Sequence, residues 1–204
     1  MLEKSAKGSK NRRIGVLGGS FDPVHNAHIA LAEAARRQLG LDEIIFMPAR
    51  QAALKPSAAC ASPEQRKKML EIALESADFP HSISDIEMRR QGISYSIDTV
   101  RELLALRPDS EIYWIIGSDH LPKLSKWKDI AEFCKLAKFA CARRGGVSAD
   151  FSDAPDFARI APVDFRPVEL SSTRLRNALK SGAAGDLGLD PKVLEYILKN
   201  KLYA

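Results

Sequence analysis

The sequence predicts an α/β fold, a parallel β-sheet with helices on both faces and a helical C-terminal segment. Short apolar runs of strand character alternate with longer segments whose apolar residues recur every three or four positions. Strands joined through helices imply right-handed crossovers and therefore parallel neighbours. Helix starts are also marked, at Ser62-Pro63-Glu64-Gln65 and at Asp190-Pro191.

Taken in order, Ile14–Leu17 reads as a buried strand ended by Gly18-Gly19. Residues 26–39 read as a helix with Ile29, Leu31, Ala32, Ala35 and Leu39 near one face and Gly40 as its stop. Glu43–Met47 is the second strand, and residues 49–61 are a loop. The helix that opens at Pro63 runs to about Ala77, and strand-like residues follow at His81–Ile86. Ser96 caps a helix carrying Ile97, Val100, Leu103, Leu104 and Leu106, which Pro108 ends. Glu111–Ile116 and Lys138–Ala142 are strands, separated by two short helical pieces near 119–125 and 129–136. Residues 145–168 form an irregular connector with one short strand near Ile160. Ser172 caps a helix to about Ser181, and the last helix turns Val193, Leu194, Ile197 and Leu198 inward.

At 204 residues the chain fits one domain, expected over 13–204 with its helical part from about 171. Apolar residues make up 45% and can build a core without a disulfide or metal staple. No apolar run approaches a bilayer span, and the first residues lack the apolar stretch of a secretory leader, so a cytoplasmic protein is expected. The net charge of +5 is concentrated: Lys4, Lys7, Lys10, Arg12 and Arg13 against Glu3 hold +4 of it, which leaves +1 for the rest. Residues 1–12 are therefore read as a disordered basic tail in preference to a nucleic-acid arm, and neither nucleic acid nor membrane is an expected partner. Homo-oligomer formation stays open. Cys60, Cys134 and Cys141 form no CxxC and read as reduced thiols, the latter two as core filler.

In parallel sheets ligands bind beyond the carboxyl ends of the strands. The segment after the first strand is Gly18-Gly19-Ser20-Phe21-Asp22-Pro23-Val24-His25-Asn26-Ala27-His28. It is neither GxGxxG nor a P-loop. Its two glycines still let backbone N–H groups approach an anion, and the helix behind them offers a positive dipole end. His25 and His28 stand one helical turn apart and can place two donors on a chain of phosphates. Helix capping and zinc binding are the competing uses. A zinc pair on a helix more usually has a spacing of four, and no third ligand cluster accompanies this one.

This segment resembles the signature of the nucleotidylyltransferase superfamily, with Ala27 where that family usually has Gly. The resemblance implies a Rossmann-like fold and nucleotide transfer from ATP or CTP to a phosphate-bearing acceptor. A second stretch, Leu170-Ser171-Ser172-Thr173-Arg174-Leu175-Arg176, resembles the family's other phosphate-binding segment. Within the superfamily the chain resembles bacterial nicotinate-nucleotide adenylyltransferases over nearly its whole length from Arg13. The matching stretches are Pro63–Leu70, Asp85-Ile86-Glu87 with Arg89, Gly92–Thr99, Ile115–Asp119 with Trp127, and Ala142-Arg143-Arg144.

That resemblance implies adenylyl transfer from ATP to nicotinate mononucleotide, with Mg²⁺ carried mainly by phosphates and no metal held by the protein. It implies His25, His28 and Arg176 as the catalytic set. Gly18, Gly19, Ser20, Phe21, Asp119, Ser171, Ser172 and Thr173 are implied on ATP. Lys55, Tyr95, Ser96, Trp127 and Arg143 are implied on the mononucleotide. Tyr95 and Trp127 as core aromatics, and Asp119 as a helix cap, are the bland alternatives. The loop Ala52-Ala53-Leu54-Lys55 departs from the family's Pro-Pro-His-Lys and keeps only the lysine. A phosphopantetheine adenylyltransferase, a nucleotide-binding regulator without catalysis and a class I tRNA synthetase are the other readings weighed. The first lacks the Tyr95 and Trp127 segments, the second does not need intact histidines, and the third needs a tRNA-binding domain.

Overall fold

A computed structural model describes residues 11–53, 59–144, 151–165, 170–182 and 186–204. Six strands form one sheet: β1 Arg12–Gly19, β2 Glu43–Pro48, β3 His81–Ile83, β4 Ser110–Gly117, β5 Ala137–Arg144 and β6 Ile160–Phe165. Every pair is parallel, in the order β3-β2-β1-β4-β5-β6. The order reverses between β1 and β4, which makes a crevice at their carboxyl ends, after Gly19 and after Gly117. The helices are α1 Asn26–Leu39, α2 Pro63–Leu74, α3 Ile86–Arg89, α4 Ser96–Leu106, α5 Ile130–Leu136, α6 Ser172–Lys180 and α7 Pro191–Lys199. A 3-10 helix, Ser118–Lys126, follows β4 directly.

Alternation along the strands splits the core in two, because successive side chains leave opposite faces of the sheet. Leu17, Ile44, Phe46, Tyr113 and Ile115 face one layer, closed by α1, α2, α6 and α7 through Ala35, Leu70, Leu175 and Val193. Ile14, Val16, Ile45, Met47, Ile112 and Trp114 face the other, closed by α4 and α5 through Val100 and Phe133. Gly15 sits at a tight point of the first layer: a Cβ there would lie 2.6 Å from Ile44 Cδ1.

Most boundaries fall where capping chemistry puts them. Gly40 takes φ 58 and ends α1, and Ser62 caps α2 with Gln65 closing the reciprocal bond. Several expectations need correction. β1 begins at Arg12, which the sequence assigned to the tail; residues 1–10 lie outside the described residues. α2 stops at Leu74, and Ala77 N–H turns back to the Leu74 carbonyl at 3.1 Å. The strand at 81 is three residues long and gives way to α3. Leu198 is 64% exposed, since it lies about 100° round α7 from the buried Ile197. Cys134 and Cys141 are buried as expected, and Cys60 is exposed.

Candidate active site

The loop between β1 and α1 forms the floor of the crevice. Phe21 is buried in the left-handed region at φ 46, and its ring meets His28 edge-on at 5.1 Å. α1 begins at Asn26 as the sequence predicts, and His25 stands just before it. It is the N-cap residue in extended conformation, φ −146 and ψ 166, and the two imidazoles stack with centroids 3.7 Å apart. The His25 backbone N–H donates to His28 Nδ1 at 3.2 Å. An Nδ1 that accepts carries no proton, so the neutral His28 ring bears its hydrogen on Nε2. Desolvation pulls the His25 pKa down from 6.5 to about 4, so that ring is neutral at pH 7. Its Nδ1 is buried without a hydrogen-bond partner. At pH 7 the stacked pair at this helix N-terminus therefore includes one uncharged ring, His25.

The segment around Ser172 is brought onto this loop, as the sequence expected, by bonds the sequence could not show. Ser172 Oγ donates to the Pro23 carbonyl at 3.0 Å, and Arg176 Nη1 donates to the Asp22 carbonyl at 2.7 Å. The cap of α6 is Ser171, whose hydroxyl accepts from Arg174 N–H at 3.2 Å. Ser172 was expected in that role. With three hydroxyl residues in a row, only backbone conformation selects the cap, and Ser171 is the extended one at φ −139. Arg176 spans both sides, with its other terminal nitrogen on Thr173 Oγ1 at 3.3 Å.

The second half of the crevice lies beyond β2 and β4. Tyr95 is the N-cap position of α4, so Ser96 opens the helix instead of capping it. The loop after β2 is stitched to this segment: Arg50 N–H donates to Ser94 Oγ at 3.2 Å and Ser94 N–H to the Gln51 carbonyl at 2.9 Å. Trp127 packs edge-on against Phe133 and Phe139 at 5.7 and 5.8 Å, with its indole N–H buried and unpartnered. Lys128, which sequence reasoning missed, joins the two segments. Its ammonium lies 4.6 Å above the Tyr95 ring centroid and 3.3 Å from Asp98. Asp119 is not a cap; that position is Gly117, and the Asp119 side chain is 74% exposed at the mouth of β4. Arg143 is engaged by Asp164 on β6. Lys55 lies outside the described residues.

Two buried charged groups brace these halves. Arg66 is 1% exposed, and Nη1 donates to the carbonyls of Ser20 and Ala49, both at 2.7 Å. Burial lowers its pKa, with Asp22 pulling the other way. Its signal was present in the sequence, since 66, 69, 70 and 73 fall on one helical face and Arg66 stands in an otherwise apolar stripe. Glu87 is 4% exposed and accepts from Thr99 Oγ1 at 2.7 Å, while burial pushes its carboxyl above the ordinary range. Arg90 completes this group through Thr99 and Glu102 at 3.3 and 2.6 Å. Arg89 pairs with Asp85 at the surface.

Residues 16–178 match the family model described as cytidylyltransferase-like. A protein of Opitutus terrae named "probable nicotinate-nucleotide adenylyltransferase" is 41% identical over 94% of this chain and 97% of its own length. A protein of the same name from Chromobacterium violaceum is 37% identical over 95% and 99%. The chain belongs to the nicotinate-nucleotide adenylyltransferase family. Its fold also matches the Plasmodium falciparum nicotinic acid mononucleotide adenylyltransferase complexed with APC. That match has TM-score 0.78 and 20% identity, covering 95% of this chain and 98% of that one.

In this adenylyltransferase the crevice has two parts, one built on α1 and α6 around His25, His28 and Arg176, the other on α4 and the 3-10 helix around Tyr95 and Trp127. No described helix is long and apolar enough to cross a membrane.

Proposed function

We propose that this adenylyltransferase joins ATP to nicotinate mononucleotide, giving nicotinate adenine dinucleotide and pyrophosphate. The observation that carries the reading is the stacked His25–His28 pair at the start of α1, tied through Asp22 and Pro23 to the start of α6. A mononucleotide phosphate oxygen attacks the α-phosphorus of ATP. The α-phosphorus–oxygen bond to the β-phosphate breaks, and pyrophosphate leaves. The nucleophile is already anionic, so the protein supplies position and charge stabilisation.

In this reading His28 Nε2–H donates to the α-phosphate as charge builds. His25, Arg176 and the first-turn N–H groups at Ser172 and Thr173 hold the β- and γ-phosphates, with Ser171 fixing that helix end. Gly18, Gly19, Ser20 and Phe21 line the nucleotide path, and the exposed Asp119 carboxylate reaches the ribose. Tyr95, Ser96 and Trp127 take the pyridine ring and its carboxylate. Lys55 takes the acceptor phosphate, and Arg143 joins by exchanging Asp164 for substrate. The donor set does not fit a protein-held cation. Asp22 is consumed by backbone and tyrosine donors, and among the described residues no three His, Cys, Asp or Glu groups converge. Mg²⁺ therefore belongs to the proposal as part of the nucleotide substrate.

The test is pyrophosphate release from ATP with nicotinate mononucleotide, nicotinamide mononucleotide and phosphopantetheine offered separately. Release with the first well above the other two is expected. Release only with phosphopantetheine, or with none, overturns the reading.

A further inference from the structure

Asp22 lies three residues before His25 and is 3% exposed. Its Oδ2 accepts from Cys60 N–H at 2.7 Å, and its Oδ1 from Ala61 N–H at 3.1 Å and from the Tyr203 hydroxyl at 2.8 Å. Its carbonyl accepts from Arg176 Nη1 at 2.7 Å. The loop bearing both histidines, the approach to α2, the start of α6 and the turn after α7 therefore meet at one residue. Tyr203 sits 181 positions from Asp22 and is the side-chain donor to that carboxylate; Arg176 Nη1 stands back at 3.9 Å from Oδ2.

Tyr203 is held there firmly. Its backbone takes φ 64, in the left-handed region that bulky residues occupy only when their surroundings impose it. The preceding Leu202 N–H bonds the Ile197 carbonyl at 3.0 Å, and the ring packs against the core layer of α1, α2 and α7. Burial and then Asp22 raise the phenol pKa, which keeps the hydroxyl a donor at working pH.

We propose that Tyr203 is a positioning residue for adenylyl transfer: through the Asp22 carboxylate, its hydroxyl sets where the His25–His28 loop sits relative to α6 and the approach to α2. The inference rests on the adenylyl-transfer reading. Without the hydroxyl, Oδ1 keeps only the Ala61 N–H. The carboxylate then turns toward the Arg176 guanidinium, shortens the 3.9 Å ion pair and draws Arg176 off the Asp22 carbonyl. Both the histidine pair and the arginine are displaced from the phosphates by that one rotation.

Tyr203→Phe removes the hydroxyl and keeps the buried ring. Wild type, Y203F, D22N and the double variant are compared by pyrophosphate release from ATP and nicotinate mononucleotide. Amide hydrogen exchange over residues 59–66 and melting temperature are measured alongside. Y203F is expected to lower kcat about tenfold, the order a small misplacement of reacting groups produces, with KM for ATP within about twofold. The Cys60 and Ala61 amides are expected to exchange faster. The double variant is expected to be no slower than D22N alone, because both substitutions break one chain of bonds. A wild-type kcat in folded Y203F, or losses that multiply in the double variant, overturns the proposal. Wild-type protein inactive toward both mononucleotides overturns the reaction instead. Unchanged exchange at Cys60 and Ala61 overturns the tie itself, whatever the reaction.

Discussion

Acid should destabilise this protein through His25. The folded pKa is about 4 against an ordinary 6.5, because the ring is desolvated at the N-cap of α1. The folded value is the lower one, so the unfolded chain takes up the proton first as pH falls. Stability is fully present above 6.5, is lost between 6.5 and 4, and changes no further below that. Linkage over that window gives a loss of about 1 kcal/mol by pH 5.5 and about 3 kcal/mol by pH 4 relative to pH 7. That is a large share of the roughly 5–15 kcal/mol that holds an ordinary domain folded. His25→Gln removes the titration and keeps a polar side chain. Urea unfolding of both proteins at pH 7, 5.5 and 4 isolates the effect, since the other titrating groups cancel in the difference. The variant is expected to lose about 3 kcal/mol less than wild type between pH 7 and 4. Parallel pH profiles would mean that the His25 ring is hydrated in the fold, and would refute the desolvation argument.

His28→Ala is expected to lower kcat by roughly 100- to 1000-fold with little change in KM for ATP, because it removes one transition-state donor; steady-state kinetics check it, and an unchanged kcat would leave His28 a packing residue. Nicotinate mononucleotide should exceed the nicotinamide form in kcat/KM by on the order of a hundredfold, since N–H donors at the start of α4 satisfy an acceptor-only carboxylate but oppose an amide. Competition between the two acceptors decides that. Arg66→Met should cost about 3 kcal/mol by leaving buried carbonyls at Ser20 and Ala49 unpaired, which for a chain this size lowers Tm by roughly 6–12 °C. Calorimetry reads it, and a shift within about 2 °C would show that water replaces the guanidinium.

How much was legible depends on the range of the interaction. The α/β alternation, the start of α2 at Ser62-Pro63 and the stop of α1 at Gly40 follow from local rules, in which a residue acts on its own turn. The histidine segment was legible for the same reason: eleven consecutive residues carry the glycines, the helix start and both imidazoles. Tertiary structure decided the rest. Which of Ser171, Ser172 and Thr173 caps α6 depends on the backbone path into the helix, which leaves Ser171 extended and sets the Ser172 hydroxyl on the Pro23 carbonyl. Whether an arginine in a helical stripe faces water or the interior depends on acceptors such as Ser20 and Ala49, which only the folded loops bring to Arg66. The pairing of Lys128 with Tyr95 and of Tyr203 with Asp22 links residues 33 and 181 positions apart. Sequence encodes such pairs only through the path of the whole chain, because side chains reach each other after the sheet has set the distance between their elements.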